Sequence, residues 1–176
     1  MSELDEAWAQ ALAEAQRRAR AAGRTDVSEY LALGASNDLL RKTAIDWLMN
    51  RFTTIAGQAN RAGASIQTSQ EDSYRFQVGR ATMVGNLLTL TFGVRALLIE
   101  AGWPRTPSDG FVRGGGLACG HIKHRGLRSA NEELLLVRDE TGSPRWVVTK
   151  KTGSPRQLHE SAIQAHVTKL LSENYK

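Results

Sequence analysis

The sequence predicts an α+β fold: N-terminal helices, a mostly antiparallel sheet of five or six strands, and a long C-terminal helix packed on that sheet. Three observations carry this expectation. Apolar residues recur at helical spacing over roughly the first 60 residues, they alternate with the two-residue period of a strand in the middle of the chain, and helical spacing returns after residue 155. The connections between the strand-like runs are short, which suits hairpins better than the crossovers of a parallel sheet.

Ser2 is placed to cap a first helix in which Leu4, Trp8, Leu12, Ala15, Ala19 and Ala22 follow one face, with acidic residues in its first turn, arginines in its last, and Gly23 ending it. That stripe is mostly alanine, so the helix buries little and is expected to dock weakly or against another copy of the chain. A short helix, Val27 to Leu33, is expected to break at Gly34. A third helix spans 37–61, capped by Ser36 or Asn37, with Leu40, Ala44, Trp47, Leu48, Ile55 and Ala59 along its buried face. Gly57 within it should cost about 1 kcal/mol relative to alanine. At 176 residues the chain suits one domain, 1–176, with 1–34 as a loosely docked helical extension and 36–176 as the core.

From Ala62 to Ser73 the chain is polar and reads as a loop or as an edge strand around Ser65 to Thr68. The strongest strand pattern follows, over 87–99, where Leu88, Leu90, Phe92, Val94, Ala96 and Leu98 alternate with their neighbours. Gly85-Asn86 lies between two apolar runs and reads as the tight turn of a hairpin. Simple counting from that turn puts Phe76 and Val78 on the wrong face. A bulge at Gly79 or Arg80 restores them, setting Val78 opposite Phe92, Phe76 opposite Val94 and Tyr74 opposite Ala96.

Residues 102–110 hold two prolines and two glycines and read as an irregular connection, in which Trp103 is either a contact residue or a plug at the end of the core. Phe111 to Arg125 reads as a long strand whose glycines at 114, 115, 116 and 120 imply curvature or close approach. Glu132 to Arg138 and Arg145 to Lys150 form a second hairpin. Thr-Gly-Ser-Pro-Arg occurs at 141–145 and again at 152–156, a repeat of turn chemistry. At the second copy Ser154, Pro155 and Gln157 suit a capping box, so the final helix is expected to start near 155 and to bury Leu158, Ala162, Ile163, Val167, Leu170 and Leu171.

No apolar run approaches the roughly 20 residues that span a bilayer, so no membrane contact is expected. The acidic start, Met1 to Glu6, lacks the pattern of a secretory signal, and the single cysteine, Cys119, suits a reducing compartment, which makes the cytoplasm the expected location. The net charge of +5 is uneven: residues 1–100 carry 11 basic and 11 acidic side chains, residues 101–176 carry 12 and 7. That asymmetry invites an anionic partner.

Catalytic signatures are sparse. His121 and His124 fall on opposite faces of a strand with no cluster to complete a metal site. Cys119 and His121 share a face, but nothing in sequence is placed to orient the histidine, and a buried structural cysteine fits better than a nucleophile. The glycines at 114–116 match neither a dinucleotide fingerprint nor a P-loop, and no nucleophile elbow is present. No cofactor is expected. The reading ranked first is therefore a non-catalytic module that binds an anionic partner such as nucleic acid through Arg113, Lys123, Arg125, Arg128, Lys150 and Lys151. Second is a small-molecule-binding protein or enzyme with a pocket between a bent antiparallel sheet and the C-terminal helix. Self-association through the N-terminal helix is the remaining expectation.

Overall fold

The computed structural model describes residues 3–23, 25–150 and 153–174. The chain divides into two compact units, Met1–Leu40 and Arg41–Lys176. The first holds helix α1 (Glu3–Ala21) and the start of α2 (Thr25–Arg61); within it Ala19 and Ser28 are buried, and Arg20 Nε donates to Ser28 Oγ at 3.1 Å. Gly34 does not break α2, because one glycine weakens a helix without removing a hydrogen bond. The expected caps at Ser36 or Asn37 are therefore helix interior, whereas Ser2 lies outside the described residues.

The second unit is an α+β layer. Seven strands, more than the five or six expected, form one antiparallel meander in the order β1 to β7: β1 (Gln67–Val78), β2 (Ala81–Phe92), β3 (Arg95–Trp103), β4 (Ala118–His124), β5 (Glu132–Arg138), β6 (Pro144–Thr149) and β7 (Arg156–Gln157). Helix α3 (Glu160–Leu171) follows. One sheet face packs on α2 and α3 around Ile45, Leu48, Phe52, Leu88, Leu90, Leu97, Ile99, Ile122, Ile163 and Leu170, each no more than 1% exposed. Trp146 of β6 donates from Nε1 to the Ala44 carbonyl at 3.0 Å and so ties the far side of the sheet to α2. Arg95 Nη1 reaches the carbonyls of Leu170, at 3.1 Å, and Ser172, a cation on the orphaned carbonyls that end α3.

The central hairpin is displaced from its expected position. Val78 pairs with Ala81, not Phe92, so the turn is Gly79-Arg80, and Phe92 pairs with Arg95 across a second turn at Gly93-Val94. Gly79 and Gly93 both adopt the left-handed φ, 62° and 60°, that two-residue turns require. The run read as one strand over 87–99 is thus the end of β2 and the start of β3. Crossing the turn changes the phase: Leu88 and Leu90 stay buried, Val94 is 96% exposed at the tip, and Leu97 and Ile99 take the core positions. The register shift lies between Glu71 and Tyr74, where Ser73 has φ 56°, rather than at Gly79 or Arg80.

Gly85-Asn86 sits inside β2, paired with Gly102 and Ala101. Its glycine serves close approach, since a Cβ there would lie 1.9 Å from the Ala101 carbonyl oxygen. A three-ten turn at Pro107–Asp109 falls within the expected irregular connection, and another at Arg113–Gly115 replaces the first part of the long strand expected from Phe111, leaving only Ala118–His124 extended. Trp103 is the core plug at 8% exposure, with the Arg105 guanidinium 3.5 Å above its ring.

Two differences concern the C-terminus. The second Thr-Gly-Ser-Pro-Arg copy leads into β7, as the first leads into β6, so no capping box forms at Ser154 and α3 starts at Glu160 with His159 as its N-cap. The helix has 12 residues, shorter than expected, because pairing of Arg156 with Val148 satisfies that backbone as sheet first.

Leu90→Ala, at a position with 0% exposure, should lower unfolding free energy by about 2 to 5 kcal/mol. Two glycine substitutions separate fold constraints. Gly57, whose Cβ would meet only Arg61 Nη1 at 3.8 Å, should gain up to about 1 kcal/mol as alanine, whereas Gly85→Ala should be strongly destabilising. Equal denaturant midpoints for the two glycine variants would refute the close-approach role.

Candidate anion-binding cleft

The C-terminal helix places the site. Ile163, Val167 and Leu170 bury one face of α3, and His166 falls between them at helical spacing, three residues after Ile163 and four before Leu170. It is therefore carried into the interface and is 8% exposed. On β4, His124 shares the face of Ile122 and is 2% exposed. The two imidazoles meet edge to edge, His124 Nε2 to His166 Nδ1 at 2.9 Å, with ring centroids 5.2 Å apart.

The chain of bonds continues outward. His166 Nε2 lies 3.0 Å from Glu132 Oε2 at the start of β5, and the other Glu132 oxygen accepts from Arg156 of β7. Burial pushes the Glu132 carboxyl up, but the hydrogen bond from His166 and the charges of His166 and Arg156 outweigh it and hold the group below its ordinary range. An ionised carboxylate only accepts, so His166 donates from Nε2 to Glu132, and its Nδ1 shares a second hydrogen bond with His124 Nε2. Burial, then the neighbouring His166, pushes His124 down to about 4. The relay runs from solvent at Arg156 to the interior at β4.

A cleft of about 570 Å³ opens over this relay, between α3, the ends of β5 and β6, and the turn at Arg128–Ala130. Lys150, Arg156 and Lys169 line it, from β6's end, β7 and α3, together with Ser129, Asn131, Glu132 and His166. Asn131 Oδ1 accepts from the His124 backbone N–H at 2.7 Å, which locks the turn to β4. The residues present suit recognition: cations to attract an anion, hydroxyl and amide groups to orient it, and a buried imidazole at the base.

The residues singled out from sequence are divided by this geometry. Lys150 lines the cleft, and the exposed Arg128 lies in the turn whose next residues line it. Arg125 is exposed just after β4. Lys123 points to the other sheet face, where its Nζ contacts Glu100 Oε1 at 2.6 Å. Arg113 lines a separate cavity on that face, and Lys151 lies outside the described residues. Sequence reasoning missed Arg156's ion pair, Lys169 and the Glu132–His166–His124 relay. The signal for His166 was its place in the apolar period of α3; for Glu132, no local pattern pointed to it.

His121 and His124 do lie on opposite faces, and Cys119 is buried beside His121's face. Burial pushes the Cys119 thiol up to about 11, which makes it a poor nucleophile. Among the described residues no group of three His, Cys, Asp or Glu side chains is arranged to hold a metal, and no helix is long and apolar enough to cross a membrane. No protein-family model matches the chain, and no curated protein or solved structure shows significant similarity to it.

Because His124 is folded neutral, its stabilising contribution is complete above its ordinary value near 6.5 and is lost as pH falls from there towards about 4. Unfolding free energy should fall over that window by up to about 3 kcal/mol. Chemical denaturation at several pH values would show it, and the loss should be much smaller in His124→Gln. Identical pH profiles for the two chains would refute the assignment.

Proposed function

We propose that the Arg41–Lys176 unit is a non-catalytic binding module that takes a phosphate-bearing anion in the cleft beside α3. The observation that supports this reading is the convergence of Lys150, Arg156 and Lys169, three cations from separate elements, on one cavity with a buried imidazole at its base. The reading joins the basic second half of the sequence to a pocket between the sheet and the C-terminal helix. Of the phosphate-bearing ligands, nucleic acid is the extended form. Arg125 and Arg128, exposed ahead of Ser129, would follow its backbone, while the cleft takes one phosphate group.

Fluorescence anisotropy with single- and double-stranded oligonucleotides at several salt concentrations, and calorimetry with pyrophosphate, test this reading. Removing one cation that pairs with a phosphate should flatten the plot of log affinity against log salt by about 0.7 to 0.9, so Lys150→Ala with Lys169→Ala should lower the slope by roughly 1.5. Melting temperature should barely move, since exposed charges contribute little to folding. Absence of binding by both probes at low salt, or an unchanged slope in the double variant, would reject the reading.

Self-association is a separate proposal, favoured by Tyr30, Leu33 and Leu39, which are 75%, 57% and 67% exposed in the first unit. Sedimentation equilibrium should show a dimer that Tyr30→Ser with Leu33→Ser shifts to monomer. A wild-type monomer at high concentration would end it.

A further inference from the structure

The sheet face away from the helices carries a second cavity, of about 350 Å³. Its floor is Cys119 to His121 of β4; Gln77 and Val78 at the end of β1, with Gly79 of the turn, form one wall, and Glu133 and Leu135 of β5 form the other. β1 and β4 are not neighbours in the sheet. The cavity exists because the sheet coils until Phe76 of β1 meets His121 edge-on, ring centroids 5.9 Å apart.

Beneath the floor, His121 Nδ1 lies 2.7 Å from Glu100 Oε1, and Lys123 Nζ contacts the same oxygen at 2.6 Å. Glu100 is 2% exposed. Burial raises its pKa, but the bonds from His121 and Lys123 outweigh that and hold it below the ordinary range. An ionised Glu100 accepts, so Nδ1 of His121 donates to it. The carboxylate thus holds the orientation of the ring that lines the cavity.

Two opposite charges stand on either side of that floor. Arg113 lies against the Gly79 turn, where a Cβ would come within 2.6 Å of its Nη2, and Glu133 faces His121 in register from β5. Both act electrostatically on Cys119 between them, yet neither forms an ion pair with the other or with any described residue. Both side chains are exposed and so open to a ligand, and a ligand carrying both signs complements both.

We propose that this cavity binds a small zwitterion of the α-amino-acid class, its carboxylate on Arg113, its ammonium on Glu133, and its side chain against Leu135. No covalent step is involved. The site shares Glu133 and Thr149 with the lining of the cleft beside α3, but it uses none of that cleft's cations, Lys150, Arg156 and Lys169.

Thermal-shift and calorimetric titration of the full chain with each of the twenty free amino acids, up to about 10 mM, tests the proposal. At least one should bind, and its N-acetyl and its amide derivatives, each lacking one charge, should bind tenfold or more weakly. Arg113→Gln and Glu133→Gln should each weaken binding tenfold or more with unliganded melting temperature unchanged, while Lys150→Ala with Lys169→Ala should leave it intact. No binding by any free amino acid, equal binding of the blocked derivatives, or wild-type affinity in both Gln variants would overturn it, whatever the cleft does with phosphate.

Discussion

Two glycines, Gly85 of β2 and Gly102 of β3, face each other where the backbones of these strands come too close for any side chain: a Cβ on Gly102 would lie 2.6 Å from the Val84 backbone, and one on Gly85 closer still to Ala101. Gly120 of β4 repeats the constraint, with its Cβ position 2.6 Å from the Glu100 carbonyl oxygen. Three neighbouring strands therefore bend together along one line. Glycine costs a strand packing and entropy, so its presence in the middle of a sheet is best explained by this geometry. The coil it permits brings β1 over β4, which closes the second cavity.

The same bend explains why a single-face reading of β2 fails. On its first half Ala81 and Met83 are buried in the small cluster with Phe76 and Cys119; on its second half Leu88 and Leu90 are buried against the helices, on the opposite face. The strand changes which side it hides at Gly85 to Leu87. A pattern that buries one face first and then the other looks, residue by residue, like two strands with a turn between them, and a glycine followed by asparagine stands at the break. Local propensity thus pointed to a turn, while sheet curvature across three strands decided the outcome.

What was legible depended on whether the deciding contacts were local. The antiparallel α+β class, the helix over Leu40 to Ala59, the hairpin of β5 and β6, and the buried positions Ile163, Val167 and Leu170 of α3 all follow from periods within one element, and they were readable. Trp47, expected on the buried face of its helix, is instead 40% exposed, while Ile45, Met49 and Phe52 fill the core. The extent of α3 was not, because Ser154-Pro155 suits a helix start as well as it suits a turn into β7, and pairing with β6 is a long-range choice. The candidate site was half legible. Composition placed the cations in the second half of the chain, but not which face each would take: Lys123 and Lys150 are equivalent as charges in a count, and only sheet parity sends one to a buried carboxylate and the other to the cleft.

Both faces of the sheet solve the problem of a carboxylate held out of water in the same way. Glu100 and Glu132 each accept from a histidine on a neighbouring element and from a basic side chain, so both are held ionised despite burial. The partners differ in consequence. At Glu100 the histidine and lysine come from one strand, His121 and Lys123, so the arrangement is set once the sheet forms. At Glu132 they come from α3 and β7, so the carboxylate joins three elements that are separate in sequence, and His166 passes the link on to His124 in β4. Removing one member of such a network leaves the others buried without their partner, which costs more than the bond itself contributes. On the proposed reading, an anion in the cleft would compete with Glu132 for the Arg156 guanidinium. Helix α3 stays fastened to β5 through the bond between His166 and Glu132, so ligand binding would act on the helix only through that shared carboxylate.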